Sequence, residues 1–391
     1  VGNQRVYTIV ESFESIFTEA ESVMRRGSIF VILFILLAAV VIGASQFLRS
    51  QPPIEITIAV DPLAEAWVSS SIQALNATNP IVNATTRVQY RVLPIDDLDV
   101  WNGSNRWNSQ NHPAAWIAAS STSAAYAKDI GLSLVDVTPS LARTPLVWGG
   151  YVSRVNVATG EGNNLFDWDA IQAAAAAESW SAIGGQADWR FVKLGFAAPN
   201  RKISGLAVLY TGAADFSGDP ALTGPSIRGA NFRTWMEPVL DSVPNFATLG
   251  SDPAAAMTRG ASTMEIGLLP ESQWLNNLSG LLKNEDVVFS YPAFQFMLDF
   301  PLLRWSDSTT TVEQQQAVDL LRNWLTGAAQ QATLPNFGLR PANSEPTPEA
   351  ALFAAAIPYG IQLTPDYGQA VTAPPTRGDT QGLIEWAASN Q

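Results

Sequence analysis

The sequence predicts an α/β protein in which a single N-terminal transmembrane helix is followed by two α/β lobes. Three observations carry this. Gly27 to Leu48 is a run of 22 residues without a charge. From residue 54 onward, short stretches with strand alternation succeed stretches with helical periodicity, which is the pattern of α/β layers. About 340 residues follow the apolar run, more than one compact core accommodates, so two lobes are expected.

The apolar run is long enough to cross a bilayer. At a rise of about 1.5 Å per residue it reaches roughly 33 Å, against a hydrocarbon core of about 30 Å. A secretory signal has a shorter apolar centre near the N-terminus. Here 26 residues precede the run, so a retained anchor over 27–48 is expected. Arg25 and Arg26 lie before it and only Arg49 directly after it, which places the N-terminus in the cytoplasm and the bulk of the chain outside the cell membrane of a bacterium. Within the cytoplasmic segment 1–26, Val6, Ile9, Val10, Phe13, Ile16 and Phe17 recur at helical spacing, with Glu11, Glu14, Glu19 and Glu21 mostly on the other side. An acidic polar face suits a docking helix better than a lipid-adhering one, which usually carries Lys and Arg.

Beyond the Pro-stiffened exit "QPP", "IEITIAV" (54–60) alternates as a strand and "DPLAEAWVSSSIQALNATN" reads as a turn and an amphipathic helix. Further strands are expected at 86–95, 114–120, 146–154, 190–199, 262–270 and, as a last long one, 285–293. Helices are expected from "STSAAYAKDIG", at 166–180, 203–214 and 229–243, from "DPAAAMTRG", and at 311–334. The alternation predicts parallel sheets. The last 50 residues are broken by proline and should wrap the surface, closing in a short helix at "LIEWAAS".

Composition narrows the chemistry. There are 22 basic residues against 35 acidic ones, a net charge of −13, and no Lys/Arg cluster, which argues against nucleic acid. Cysteine is absent, which excludes disulfides, thiolate metal sites and covalently attached haem. His112, in the loop "QNHPAA", is the one histidine, so a multi-histidine metal site is impossible and a Ser–His–acid triad would have to use it. No phosphate-loop, dinucleotide or EF-hand pattern occurs. No cofactor is expected, and the chain reads as a binder or scaffold, not an enzyme.

Six stretches, in order, resemble the extracytoplasmic solute-binding proteins of the two-lobed type II periplasmic-binding fold, over roughly residues 54–345. "ITIAVDPLAEAW" looks like the first strand and helix of that family. "HPAAWIAASSTSAAYA" is similar to its P-D-x-W-x-P-x-S stretch, with Ala115 where Asp is usual. "SLARTPLVWGGY" resembles the strand that crosses into the second lobe. "LGFAAPNRKISGL" resembles the D-P-x-x-S-x-G turn, with Ala198 in place of the acidic residue. "VVFSYPA" looks like the returning strand, and "AQQATLPNFGLRPAN" like the closing G-F-R-P segment, with Leu339 for Phe. The resemblance implies a first lobe of 49–145 and 290–391, including the C-terminal wrap, and a second of 146–289.

It also implies a crevice at the carboxyl ends of the strands, where helix N-termini present free N–H groups. The residues at those ends are Asp61, Leu63, Ser120, Ser121, Thr122, Thr144, Asn200, Arg201, Ser204, Glu271 and Tyr291, with Ser121, Thr122 and Ser204 equally suited to capping helices. Asp61 would repel an inorganic oxyanion unless Arg201 or Lys202 compensates. Trp107, Trp116, Trp148 and Trp189 are candidates to stack on a sugar or other flat ligand, although core filling is the commoner role. The reading favoured is a membrane-anchored, non-catalytic solute-binding protein taking a small molecule such as a sugar between its lobes. Its alternative is an accessory subunit of a membrane complex, an electron-transport assembly among them, with partner subunits holding the chain. A sensor is weakened by a short cytoplasmic part without a catalytic module.

Overall fold

A computed structural model describes residues 30–40, 52–103, 107–160, 166–374 and 376–390. Segment 1–26, expected to be cytoplasmic, lies outside the described residues, as do 27–29 and 41–48 of the expected anchor. Residues 30–40 are helical with nearly all side chains exposed, Phe30 at 72 % and Val40 at 65 %. Among the described residues no helix is long and apolar enough to cross a membrane.

The chain divides into two units, Val1–Ile54 with Ile81–Arg87, and Glu55–Pro80 with Val88–Gln391. The smaller contains the start of a hairpin in which Ile81 pairs with Arg87 and Val82 with Thr86. The larger holds nearly all the other strands and the candidate site.

The strands are β1 (Ile54–Val60), β2 (Ile81–Val82), β3 (Thr86–Pro94), β4 (Ala115–Ile117), β5 (Leu134–Thr138), β6 (Ala142–Tyr151) and β7 (Leu194–Gly195). They continue as β8 (Ile266–Pro270), β9 (Val287–Ser290), β10 (Phe294–Gln295), β11 (Met297–Leu298), β12 (Leu302–Trp305), β13 (Arg340–Pro341) and β14 (Gln369–Ala370). The first sheet runs β2-β3-β1-β4-β12-β5. β1 and β4 are parallel, while β12 is inserted antiparallel to both β4 and β5. The second sheet has the order β11-β6-β8-β7, with β9 and β13 also on β6. There β6 is antiparallel to β8, β9, β11 and β13, and only β7 and β8 are parallel.

The expectation of parallel sheets is therefore corrected. The chain leaves the first sheet through β6 and comes back through β9 to β12, so the returning strands run against those they join. β6 also begins and ends earlier than 146–154, because Val152–Thr159 turns into a helix. The strand expected over 190–199 shortens to two residues. Arg190 has φ 63°, and its carbonyl accepts from Trp180 N instead of continuing a ladder. The long strand at 285–293 stops at Ser290, before Tyr291-Pro292. β5 and β12 lie where no strand is predicted. The helix over 311–334 spans Val312–Leu325, with a short helix Ala328–Gln331 beyond Gly327.

Local chemistry explains the boundaries that hold. Thr311 and Gln314 form a reciprocal capping box at the start of Val312–Leu325. Gly205 lets the helix Ile203–Ser217 approach the end of β7, since a Cβ there would lie 2.0 Å from the Ala197 carbonyl oxygen. Trp67, Trp116, Trp168, Trp180 and Trp274 are fully buried. At about 25 cal/mol per Å², burying roughly 150–250 Å² contributes on the order of 4–6 kcal/mol for each. At the C-terminus a helix Arg377–Ser389 extends six residues before "LIEWAAS" and buries Thr380, Leu383, Ile384 and Ala387. The Thr380 hydroxyl lies 3.0 Å from Tyr126 Oη, on the helix after β4, and 2.7 Å from Tyr210 Oη, on the helix after β7.

Candidate ligand-binding cleft

A cavity of about 310 Å³ opens where β1, β3, β7 and β8 give way to their helices. One wall carries Asp61 and Asp96; the other carries Lys202, Ser204, Asp252 and Gln273. A second cavity of about 730 Å³ adjoins it, shares Lys202 and Ser251, and includes Asn200 and Arg201.

Asp61 ends up here because β1 terminates at a helix cap. Its Oδ1 accepts from Leu63 N at 3.0 Å, capping Pro62–Ala77, and its Oδ2 accepts from Asp97 N at 3.4 Å. Burial, with the Asp96 charge adding to it, pushes Asp61 up to about 7 against the pull of the Leu63 N–H. Asp97 is completely buried behind it and accepts from Ala119 N at 3.0 Å and Ser120 N at 3.3 Å. Burial and the Asp61 charge raise its carboxyl well above the ordinary range. Asp97 thereby fixes the turn after β4, where Ser120 caps Ser121–Asp129 by accepting from Ser123 N.

From the opposite wall, Lys202 Nζ donates to Asp96 Oδ1 at 2.5 Å. Arg201 N and Lys202 N both donate to the Ala198 carbonyl, which sets the turn that delivers this ammonium. The N-cap residues of Ile203–Ser217 and Glu271–Leu281 make no side-chain capping bond, and the N-termini of both helices border the cavity, with Ser272 N of the second held by Thr144 Oγ1. Gln273, 6 % exposed, donates from Nε2 to Ser251 O at 2.8 Å, and its Oε1 has no hydrogen-bond partner.

Of the residues expected at the strand ends, Asp61, Leu63 and Ser204 line the first cavity, and Asn200 and Arg201 line the second. Ser120 and Ser121 serve structure: Ser120 is the cap described, and Ser121 N donates to Asp299 Oδ1 at 2.8 Å. Thr122 lies beside them in the first turn of that helix and lines neither cavity. Thr144 is completely buried and accepts from Ser272 N through Oγ1.

Glu271 and Tyr291 belong to a separate buried network. Arg340 donates to both Glu271 carboxylate oxygens, at 2.6 and 2.8 Å, and Tyr291 Oη donates to Glu271 Oε1. Burial, reinforced by the Glu271 charge, raises the Tyr291 hydroxyl. Removing Arg340 would leave the buried Glu271 carboxylate without its counter-charge, at a cost of about 3–5 kcal/mol. Tyr291 faces a different cavity of about 730 Å³, beside β9.

The tryptophans take the commoner of the two roles weighed for them, packing in place of stacking on a ligand. Trp107, Trp116 and Trp148 are core residues, and Trp189 packs under the Arg154 guanidinium at 3.6 Å. None lines the cleft. Sequence reading missed Asp96, Asp252 and Gln273. The signals present were the strand-ending "PIDD" and the helix-opening "PESQ" after β8. His112 stacks on Trp305 with ring centroids 4.4 Å apart, away from both cavities.

No protein-family model and no curated protein matches this chain. Solved structures do. A periplasmic thiamin binding protein superposes with TM-score 0.58 at 10 % identity, covering 87 % of this chain and 97 % of that one. A Streptococcus pneumoniae solute-binding protein in complex with the blood group A-trisaccharide gives 0.54 at 15 %, covering 86 % and 95 %. Maltose-bound T. maritima MalE3 gives 0.54 at 13 %, with the same coverages. The chain has the α/β two-lobed fold of the solute-binding proteins.

Proposed function

We propose that this chain is a non-catalytic solute-binding protein that holds a small solute in the cleft between lobes 49–145 with 290–391 and 146–289. The observation that carries the reading is the cavity at the strand ends. Carboxylates from one wall, an ammonium from the other, and the N-termini of two helices converge on it. Asp61 and Ser204 are its expected contacts, with Asn200 and Arg201 reached through the adjoining cavity. The superposed proteins, a thiamin binding protein and complexes with a trisaccharide and maltose, support a small-molecule role.

We also infer an extracytoplasmic location, with the main part tethered outside the cell membrane by 27–48. The uncharged run and the arginines before it support that orientation. Purified full-length chain in mild detergent, screened by thermal unfolding against sugars, amino acids, amines and anions, tests the binding role. A ligand at about 100 times its dissociation constant adds about 2.7 kcal/mol. A panel that leaves the midpoint unmoved throughout overturns it.

A further inference from the structure

The C-terminal helix Arg377–Ser389 is held by both lobes. On the second-sheet side, Arg228 Nη2 lies 2.9 Å from Asp379 Oδ1, Arg233 Nη2 donates to Gly382 O, and the Trp386 ring packs near Phe232 with the Arg233 guanidinium over it. Arg228, Phe232 and Arg233 stand on helices between β7 and β8, so the C-terminal helix is seated on that lobe. The first-sheet side meets it at two points. Gln381 Nε2 donates to Asn102 Oδ1 at 2.8 Å. Tyr126 Oη donates to the Pro374 carbonyl at 3.0 Å, just before the helix, and lies 3.0 Å from Thr380 Oγ1. Tyr126, Tyr210 and Thr380 are all buried, so this junction is closed to solvent. Asn102 directly follows the five-residue helix Asp97–Trp101, and Asp96, at the other end of that helix, receives Lys202 Nζ. The second lobe, with the C-terminal helix seated on it, therefore grips one short first-lobe helix at both ends. Asp97 ties that helix to the turn after β4 through Ala119 N, so the helix moves only with its lobe. Two grips on one rigid element fix an angle as well as a distance.

We propose that the C-terminal helix is an interlobe wedge that fixes the width of the cleft. The lobes hold one spacing, set by contacts within this chain, and do not swing freely about the strands that join them, although relative motion is the default for two bodies meeting over a modest interface. Opening must break the Gln381–Asn102 bond and the Tyr126 bonds together, and the Lys202–Asp96 pair with them. The inference concerns the lobes alone and holds whatever the cleft takes.

Pulsed electron–electron double resonance on the full-length protein in detergent tests it. The chain has no cysteine, so spin labels attach only where one is introduced. Ala74→Cys on the helix Pro62–Ala77 and Ala173→Cys on Trp168–Ala176 are exposed, lie outside both cavities and report one lobe each. The labelled protein is expected to show one narrow distance. Asn102→Ala with Tyr126→Phe removes the first-lobe grip on the C-terminal helix and keeps an aromatic ring against Trp101. This variant is expected to add a second distance, each lost bond raising the ratio of released to held molecules by roughly fivefold. Lys202→Met in the same background frees the other end of the short helix and raises the ratio further. Two distances before any grip is removed overturn the wedge, since the lobes would already move freely. One distance, identical in all three proteins, overturns it as well, because the spacing would then be set elsewhere.

Discussion

Asp61 shows how one residue serves fold and site together. As a helix cap it is held by Leu63 N, and as a cavity wall it is buried beside Asp96 and Asp97. In the unfolded chain it ionises near 3.8, in the folded protein near 7. Between those values the native state binds more protons than the unfolded one, so stability falls as pH rises through that window. Asp61→Asn keeps a capping side chain and removes the titration. Its unfolding free energy is expected to vary less steeply than wild type between about pH 4 and 7, leaving the contribution of Asp97. Urea titrations across this range decide it, and an unchanged slope contradicts the assignment. Asp61 was legible from sequence because a strand ending in "VDP" marks a cap. The Glu271–Arg340 pair was not, because its members stand 69 positions apart and only the fold joins them.

At the scale of elements, the C-terminal helix Arg377–Ser389 ties together helices that belong to different sheets. Besides the Thr380 contacts to Tyr126 and Tyr210, Gln381 Nε2 donates to Asn102 Oδ1 at 2.8 Å and Arg233 Nη2 to Gly382 O at 3.2 Å. Thr380→Val keeps the volume and removes the shared hydroxyl, leaving Tyr210 Oη buried without that bond. The expected loss is about 1–3 kcal/mol in urea unfolding, and a neutral result contradicts the bridging role. Sequence reading saw only the end of this helix, since "TRGDTQG" looks like loop until Thr376 is placed as its cap. Strands β5 and β12 were likewise hidden. "LVDVT" and "LLRW" are short, and β12 takes its meaning from insertion between β4 and β5, a long-range event with no local signature. The amphipathic helices and β1 were legible because their periodicity is local.

For the whole molecule, the order β2-β3-β1-β4-β12-β5 and a second sheet entered through β6 account for a cleft at the ends of the strands. The central claim is that this cleft is where a solute binds. Ala66 lines the cavity and is exposed, so Ala66→Trp fills it without disturbing the core. The decisive measurement is the ligand-induced rise in unfolding temperature of full-length wild type and Ala66→Trp, made with a compound that stabilises wild type. The rise is predicted to vanish in the variant while its ligand-free midpoint stays close to that of wild type. A rise that persists with the cleft filled would place binding elsewhere and contradict the account.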